Sequence, residues 1–298
     1  MQLLSKRNEK IAIIGLGMTG TAIGHLLRRA GYPVVAVSSR SHASLRKRIS
    51  YTGGTAFTAD ANAEAAALAT CIFITTPDDT IATVCREMAL HGGIDPGDKV
   101  IHMSGAGGLD LLESARQAGA KVASIHPLQS FADIEGAIRN IPSSTFGITA
   151  DEELREWSAG LVRELGGIPV EVPERIKPLY HAAACMASNY LTTLIHAVEE
   201  IYLSLGLSRE ESLRAFWPLV NGTLKNIETK GSVQALTGPI SRGDARTIEQ
   251  HIRVFKERLP GYLPAYCAMG LLTVELAIKK KSLCPEAADT IRTILKRG

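Results

Sequence analysis

Short apolar runs, broken by glycine-rich, alanine-rich or polar stretches, recur through the first half of the chain. Runs of this length between turn signals predict strands, here at residues 11–14, 33–37, 71–75, 99–103, 121–125, 145–148 and 168–172. Helical stretches between several of them, the first reaching about residue 30, give the alternation of a doubly wound, mostly parallel α/β sheet, the Rossmann arrangement. After Pro173 the period changes. Residues 180–205, 209–225, 244–259 and 265–281 read as helices with no strand between them, so an all-helical second domain is expected. Pro173 and Pro178 restrict the backbone between the two patterns. The expected domains are therefore residues 1–172, binding a dinucleotide, and residues 173–298, serving substrate or dimerisation.

Gly15-Leu16-Gly17-Met18-Thr19-Gly20 follows the first strand directly and opens a helix. In that setting Gly15 permits the tight turn, Gly17 lets backbone approach a pyrophosphate, and Gly20 lets helix pack on strand. The motif predicts dinucleotide binding. An NAD-binding chain carries an acidic residue about 20 positions beyond the glycines. Ser38, Ser39 and Arg40 stand there instead, and hydroxyls with a guanidinium suit the extra phosphate of NADP(H). Arg46, Lys47 and Arg48 either enlarge that positive patch or form a solvated helix face.

Further candidates lie at strand ends, where open α/β sheets place ligands. Thr76 and Pro77 are expected to contact cofactor, while Asp78 either joins them or caps the next helix. Ser104, in Ser104-Gly105-Ala106-Gly107, and His126 are expected to reach substrate or nicotinamide. Lys177 precedes Pro178 at the start of a long helix, and a lysine there adds to the positive end of the helix dipole. A local rule is broken, which is common at functional sites. A bound anion would reverse the sign of that effect. His181 lies one turn along the same face. In the loop 237–244, Asp244 is a helix N-cap and Arg242 is a candidate clamp for a substrate carboxylate.

Composition sets bounds on these readings. The 298 residues allow about two domains, and 45% hydrophobic with 21% charged residues is ordinary for a globular protein. A net charge of +3 implies no nucleic-acid partner. Five cysteines without a C-x-x-C pair fit a reducing cytoplasm rather than a disulfide framework, and no metal site is expected. No run of about 18 strongly apolar residues is apparent, so the chain is expected to be soluble, without a membrane partner.

The chain resembles Rossmann-like NADP oxidoreductases with a C-terminal helical domain of unknown function. The likeness rests on residues 14–20, 124–131, 177–190, and Leu236-Thr237-Gly238-Pro239 with Arg242-Gly243-Asp244. More distantly it is similar to ketopantoate reductases, hydroxyisobutyrate dehydrogenases and pyrroline-5-carboxylate reductases. In the first two groups a lysine at the start of the interdomain helix is the general acid, a position that Lys177 matches. Their asparagine one turn later is His181 here. The resemblance implies an NADPH-dependent reductase of a small carbonyl compound bearing a carboxylate, with Lys177 or His181 as proton donor. Imine reduction and a non-catalytic dinucleotide-binding regulator are the alternatives. A homodimer is possible from the apolar positions on the second-half helices.

Overall fold

The computed structural model describes residues 9–298. These form two compact units, the first ending at Asn189 and the second spanning Tyr190–Gly298, so the helix that opens at Lys177 packs with the sheet.

In the first unit, eight strands form one sheet in the order β3-β2-β1-β4-β5-β6-β7-β8. They are β1 (Ile11–Ile14), β2 (Val34–Ser39), β3 (Thr55–Thr58), β4 (Cys71–Ile74), β5 (Lys99–His102), β6 (Lys121–Pro127), β7 (Thr145–Ala150) and β8 (Ile168–Glu171). All neighbours are parallel except β6 and β7. Helices α1 (Met18–Arg29), α2 (His42–Thr52), α3 (Asn62–Ala67), α4 (Ile81–Leu90), α5 (Glu113–Gln117), α6 (Ile134–Asn140), α7 (Glu152–Glu164) and α8 (Lys177–Cys185) complete the unit. Every residue of β1 is fully buried because successive side chains enter opposite layers. Ile11, Ile13 and Phe73 pack with Ile23 and Leu27 on one side, while Ala12, Ile14 and Ile72 pack with Ala66, Cys85 and Met88 on the other.

β3 was not expected from the sequence. Thr55-Ala56-Phe57-Thr58 holds one large apolar residue, and as the sheet's edge strand it buries little, so its apolar signal is weak. Because β3 pairs outward beside β2 and β4 returns beside β1, the strand order reverses between β1 and β4. Such a switch point opens a crevice outside the carboxyl ends of the strands.

The second unit contains α9 (Leu191–Ser204), α10 (Arg209–Ala235), α11 (Ala245–Arg258), α12 (Leu263–Lys279) and α13 (Pro285–Lys296). The single helix expected over residues 180–205 is instead interrupted by a π-turn at Met186–Tyr190. Asp244 caps α11 as expected, accepting from the Thr247 N–H at 3.1 Å. α13 was missed. Its buried residues Ala288, Ile291 and Leu295 are sparse in a polar stretch, but they complete a core with Ile248, Ile252 and Val274. Gly270 lets α12 approach closely, since an added Cβ would stand 2.7 Å from Leu295. Pro260–Lys279 is long and apolar enough to cross a membrane by length and composition alone, a test that the core helix of a globular unit also passes. Its buried side, at Leu263, Cys267, Val274 and Ala277, belongs to the helical core.

Candidate active site

After β1 the chain turns through Gly15 at φ 101°, a conformation glycine adopts at little steric cost. The Gly15 and Leu16 N–H groups donate to the Ser38 carbonyl at 3.1 and 2.7 Å, fixing the loop to β2. α1 then starts with Gly17 as N-cap and no capping side chain, leaving its first N–H groups without partners inside the helix. A Cβ on Gly17 would meet nothing within 4 Å. One on Gly20 would stand 2.5 Å from the Gly15 carbonyl and 3.1 Å from Ile13, so the helix packs on the strand by virtue of hydrogen at that position.

A cleft of about 580 Å³ lies against this loop, with Gly17, Thr19, Ser39, Arg40, Thr76 and Pro77 among its walls. Within it, the Thr76 Oγ1 is buried and has no hydrogen-bond partner among the described residues. A buried hydroxyl left unpaired is costly, so a ligand that satisfies it gains by doing so. These residues fit a dinucleotide: open N–H groups and a bare Gly17 for a pyrophosphate, an orphan hydroxyl, and Arg40 with no acidic side chain beside it on residues 38–41. Ser38, Ser39 and Arg40 all line this cleft. Ser38 is 1% exposed and its hydroxyl donates to Asn62 Oδ1 at 2.6 Å, so its backbone rather than its side chain serves the loop. Arg48, left open by the sequence, lines the cleft and donates to the Leu16 carbonyl at 2.8 Å.

The loop that supplies Thr76 and Pro77 continues to Asp78, which accepts the Ser104 hydroxyl proton at 2.5 Å. Ser104 follows β5, and β5 pairs His102 with Ser124 of β6. Lys177, 1% exposed at the first position of α8, extends into this corner. Its Nζ donates to the Ser124 hydroxyl at 2.8 Å and the Ser104 carbonyl at 3.2 Å. Burial pushes the Lys177 ammonium down to about 8, against the opposing pull of Glu174 and Asp78. Glu174 in turn accepts the Leu109 N–H at 2.6 Å, pinning the 105–109 loop beside Lys177.

His126, two residues beyond Ser124 and on the same face of β6, contacts the Tyr180 hydroxyl at 3.3 Å. Gly147 on β7 makes the room, since a Cβ there would stand 2.7 Å from that hydroxyl. The His181 ring lies 5.9 Å from that of His126, edge to face. Both rings press on Gly105, where a Cβ would stand 2.6 Å from His181 and 2.8 Å from His126. Lys177, His181, His126 and Ser104 therefore come together in the first unit, while Arg242 lies exposed in the second. Ser124, His102, Glu174 and Tyr180 were not singled out from sequence. Ser124 and His126 share strand parity, which is the one local signal that pointed to the first.

Burial, reinforced by the Lys177 charge, lowers both His102 and His126 from 6.5 to about 4. His102 is held neutral: its Nδ1 accepts the Ser104 N–H at 3.1 Å, which leaves Nε2–H to donate to the Gly108 carbonyl at 3.0 Å. Between pH 6.5 and 4 the unfolded chain binds protons that the folded chain refuses, so stability falls as pH falls through that window. The two sites together are expected to cost on the order of several kcal/mol by pH 4. The urea midpoint, read by Trp157 fluorescence in a Trp217→Phe background, checks this. It should drop steeply below pH 6.5, and less so in His102→Asn; a flat profile would remove the assignment of neutral histidines.

Residues 3–127 match a Rossmann-like domain, and residues 144–273 match a domain of unknown function, DUF2520. A search of curated proteins returns no match. Among solved structures, protein BF3122 of Bacteroides fragilis, provisionally named an NADP oxidoreductase, aligns with a TM-score of 0.70 at 18% identity over 96% of this chain and 98% of its own. Protein TM1727 of Thermotoga maritima aligns at 0.63 with 25% identity over 96% and 98%. A pyrroline-5-carboxylate reductase of Coxiella burnetii aligns at 0.57 with 20% identity over 97% and 99%. The glycine loop at the sheet's switch point thus falls within the residues that match a Rossmann-like domain, and Lys177 and the helices that follow it up to residue 273 fall within those that match DUF2520.

Proposed function

We propose that the chain is an NADPH-dependent oxidoreductase that reduces a small carbonyl compound bearing a carboxylate, such as a 2-oxo acid. The observation that carries this reading is Lys177, buried yet held by Ser124 and Ser104 at the strand ends, one loop away from the cleft beside the glycines. The NADP oxidoreductase and reductase names of the structural relatives support nicotinamide chemistry. The carboxylate rests on the resemblance to ketopantoate reductases and hydroxyisobutyrate dehydrogenases.

When bound, NADPH supplies the hydride; moving the proton falls to the chain. Lys177 Nζ donates a proton to the alkoxide that develops on the reduced carbonyl. The Ser124 hydroxyl and Ser104 carbonyl fix the direction of that ammonium, and Asp78 fixes Ser104. His126, neutral near pH 7, serves as a hydrogen-bonding group beside the substrate rather than as its counter-charge. The pyrroline-5-carboxylate reductase relative favours a second reading, reduction of C=N. Against it, an iminium beside the buried Lys177 ammonium places like charges together in a desolvated corner.

NADPH oxidation followed by absorbance across 2-oxo acids and cyclic imines tests the reaction. Turnover restricted to 2-oxo acids supports the proposal, turnover of imines alone replaces it with the second reading, and binding without turnover makes the chain a dinucleotide-binding regulator. NADPH is expected to bind at least about tenfold tighter than NADH, through charge-assisted hydrogen bonds from Arg40 and its neighbouring hydroxyls. Calorimetry should show that preference collapsing in Arg40→Ala.

A further inference from the structure

The two ring nitrogens of His126 meet different surroundings. Nδ1 lies 3.3 Å from the Tyr180 hydroxyl, and the two rings stand edge to face at 87° with centroids 5.7 Å apart. Nε2 makes no hydrogen bond among the described residues, yet it is not sealed from solvent. The Cε1–Nε2 edge lies over Gly105, where an added Cβ would stand 2.8 Å from each atom. Tyr180 itself shares a face of α8 with Lys177, three residues before it. The sheet seats its phenol opposite His126, because β6 pairs His126 with Gly147 of β7. A Cβ on Gly147 would stand 2.7 Å from the phenol oxygen and 2.8 Å from the carbon that bears it, so only a bare backbone leaves the hydroxyl this place.

A neutral imidazole has one nitrogen that donates and one that accepts, and the partner of the first decides the role of the second. Burial lowers His126 to about 4 and raises the Tyr180 phenol above its ordinary 10, so near neutral pH the ring is uncharged and the phenol keeps its proton. Of these two groups the phenol is the better donor and the imidazole nitrogen the better acceptor. We propose that Tyr180 is a positioning residue: its hydroxyl donates to His126 Nδ1, fixes the ring proton on Nε2, and makes His126 a hydrogen-bond donor to an oxygen of the substrate. On the reading that a 2-oxo acid is reduced in this corner, on which the last step rests, Nε2–H meets carbonyl or carboxylate oxygens, both of them acceptors. With the proton on Nδ1, Nε2 would present a lone pair to those oxygens. An iminium N–H would meet a second donor, so the Tyr180–His126 pair favours an oxygen-bearing substrate over a protonated nitrogen.

Proton–nitrogen correlation spectra of the full chain carrying isotope-labelled histidine, taken at neutral pH, read the tautomer directly, since protonated and bare ring nitrogens resonate far apart. His126→Asn assigns the signals. The unaltered chain should show His126 protonated on Nε2. In Tyr180→Phe, which keeps the ring and removes the hydroxyl, the ratio of Nε2–H to Nδ1–H forms should fall by about three- to tenfold, the usual net worth of one neutral hydrogen bond. Gly147→Ala, which pushes the phenol away, should do the same. His102 should keep its Nε2–H form in both variants because the Gly108 carbonyl holds it there, whereas a loss of local packing would disturb both rings. With a 2-oxo acid that the chain turns over, Tyr180→Phe should raise KM by about three- to tenfold and leave kcat little changed. A His126 ring protonated on Nδ1, a tautomer ratio indifferent to Tyr180→Phe, or a shifted ratio with an unchanged KM would overturn the proposal. If no 2-oxo acid is turned over while the ratio shifts as expected, the reductase reading fails and the hold of Tyr180 on His126 stands.

Discussion

Replacing Lys177 by alanine or methionine is expected to lower single-turnover hydride transfer by about 10² to 10⁴, the usual contribution of a positioned general acid. NADPH affinity should stay close to that of the unaltered chain, because Lys177 contacts Ser124 and Ser104 and is not among the residues lining the glycine-loop cleft. The same assignment fixes a pH profile. Burial holds the Lys177 ammonium at about 8, so the donating form is full below that pH and is lost above it. The rate of reduction should therefore fall as pH rises through about 8. His181→Ala should cost less on the proposed reading, in which His181, packed against His126 and Gly105, only orients the substrate. If Lys177→Met keeps the unaltered rate while His181→Ala is inactive, histidine is the acid and the lysine is structural.

Gly20→Ala should weaken NADPH binding by about ten- to hundredfold, equivalent to an overpacking cost of roughly 1 to 3 kcal/mol transmitted to the helix start. The added methyl would stand 2.5 Å from the Gly15 carbonyl, a backbone atom that the Thr75 hydroxyl also holds at 2.6 Å. Neither can yield without displacing α1 from β1, which moves the N–H groups meant for the pyrophosphate. Gly17→Ala, by contrast, meets no protein atom within 4 Å and should leave the free chain's stability within about 0.5 kcal/mol, with any loss confined to ligand binding. Thermal unfolding with and without NADPH separates the two. Equal melting temperatures for both variants in the absence of cofactor would show that Gly20 does not set the helix approach.

What the sequence determined by itself was local. Ile11–Ile14 followed by three spaced glycines specifies a buried strand, a left-handed turn and a helix start within ten residues, and no distant contact is needed to read it. The N-cap at Asp244 and the change from strand to helix period after Pro173 are of the same kind. Where the apolar signal was thin, at the edge strand Thr55–Thr58 and the amphipathic Pro285–Lys296, element existence was lost, because burial there comes from neighbours distant in sequence. The corner around Lys177 belongs to the tertiary structure. Ser104 bonds Asp78 across 26 positions, and Lys177 bonds Ser124 and Ser104 across 53 and 73. Strand order and register decide which strand ends are neighbours, so the sequence could nominate Lys177, Ser104 and His126 separately but could not supply Ser124, His102 or Glu174 as their partners. The same holds for Ser38, whose hydroxyl is turned to Asn62 by the packing of α3 beside β2. A hydrogen bond between distant residues follows from how layers stack, and periodicity along the chain carries no record of that.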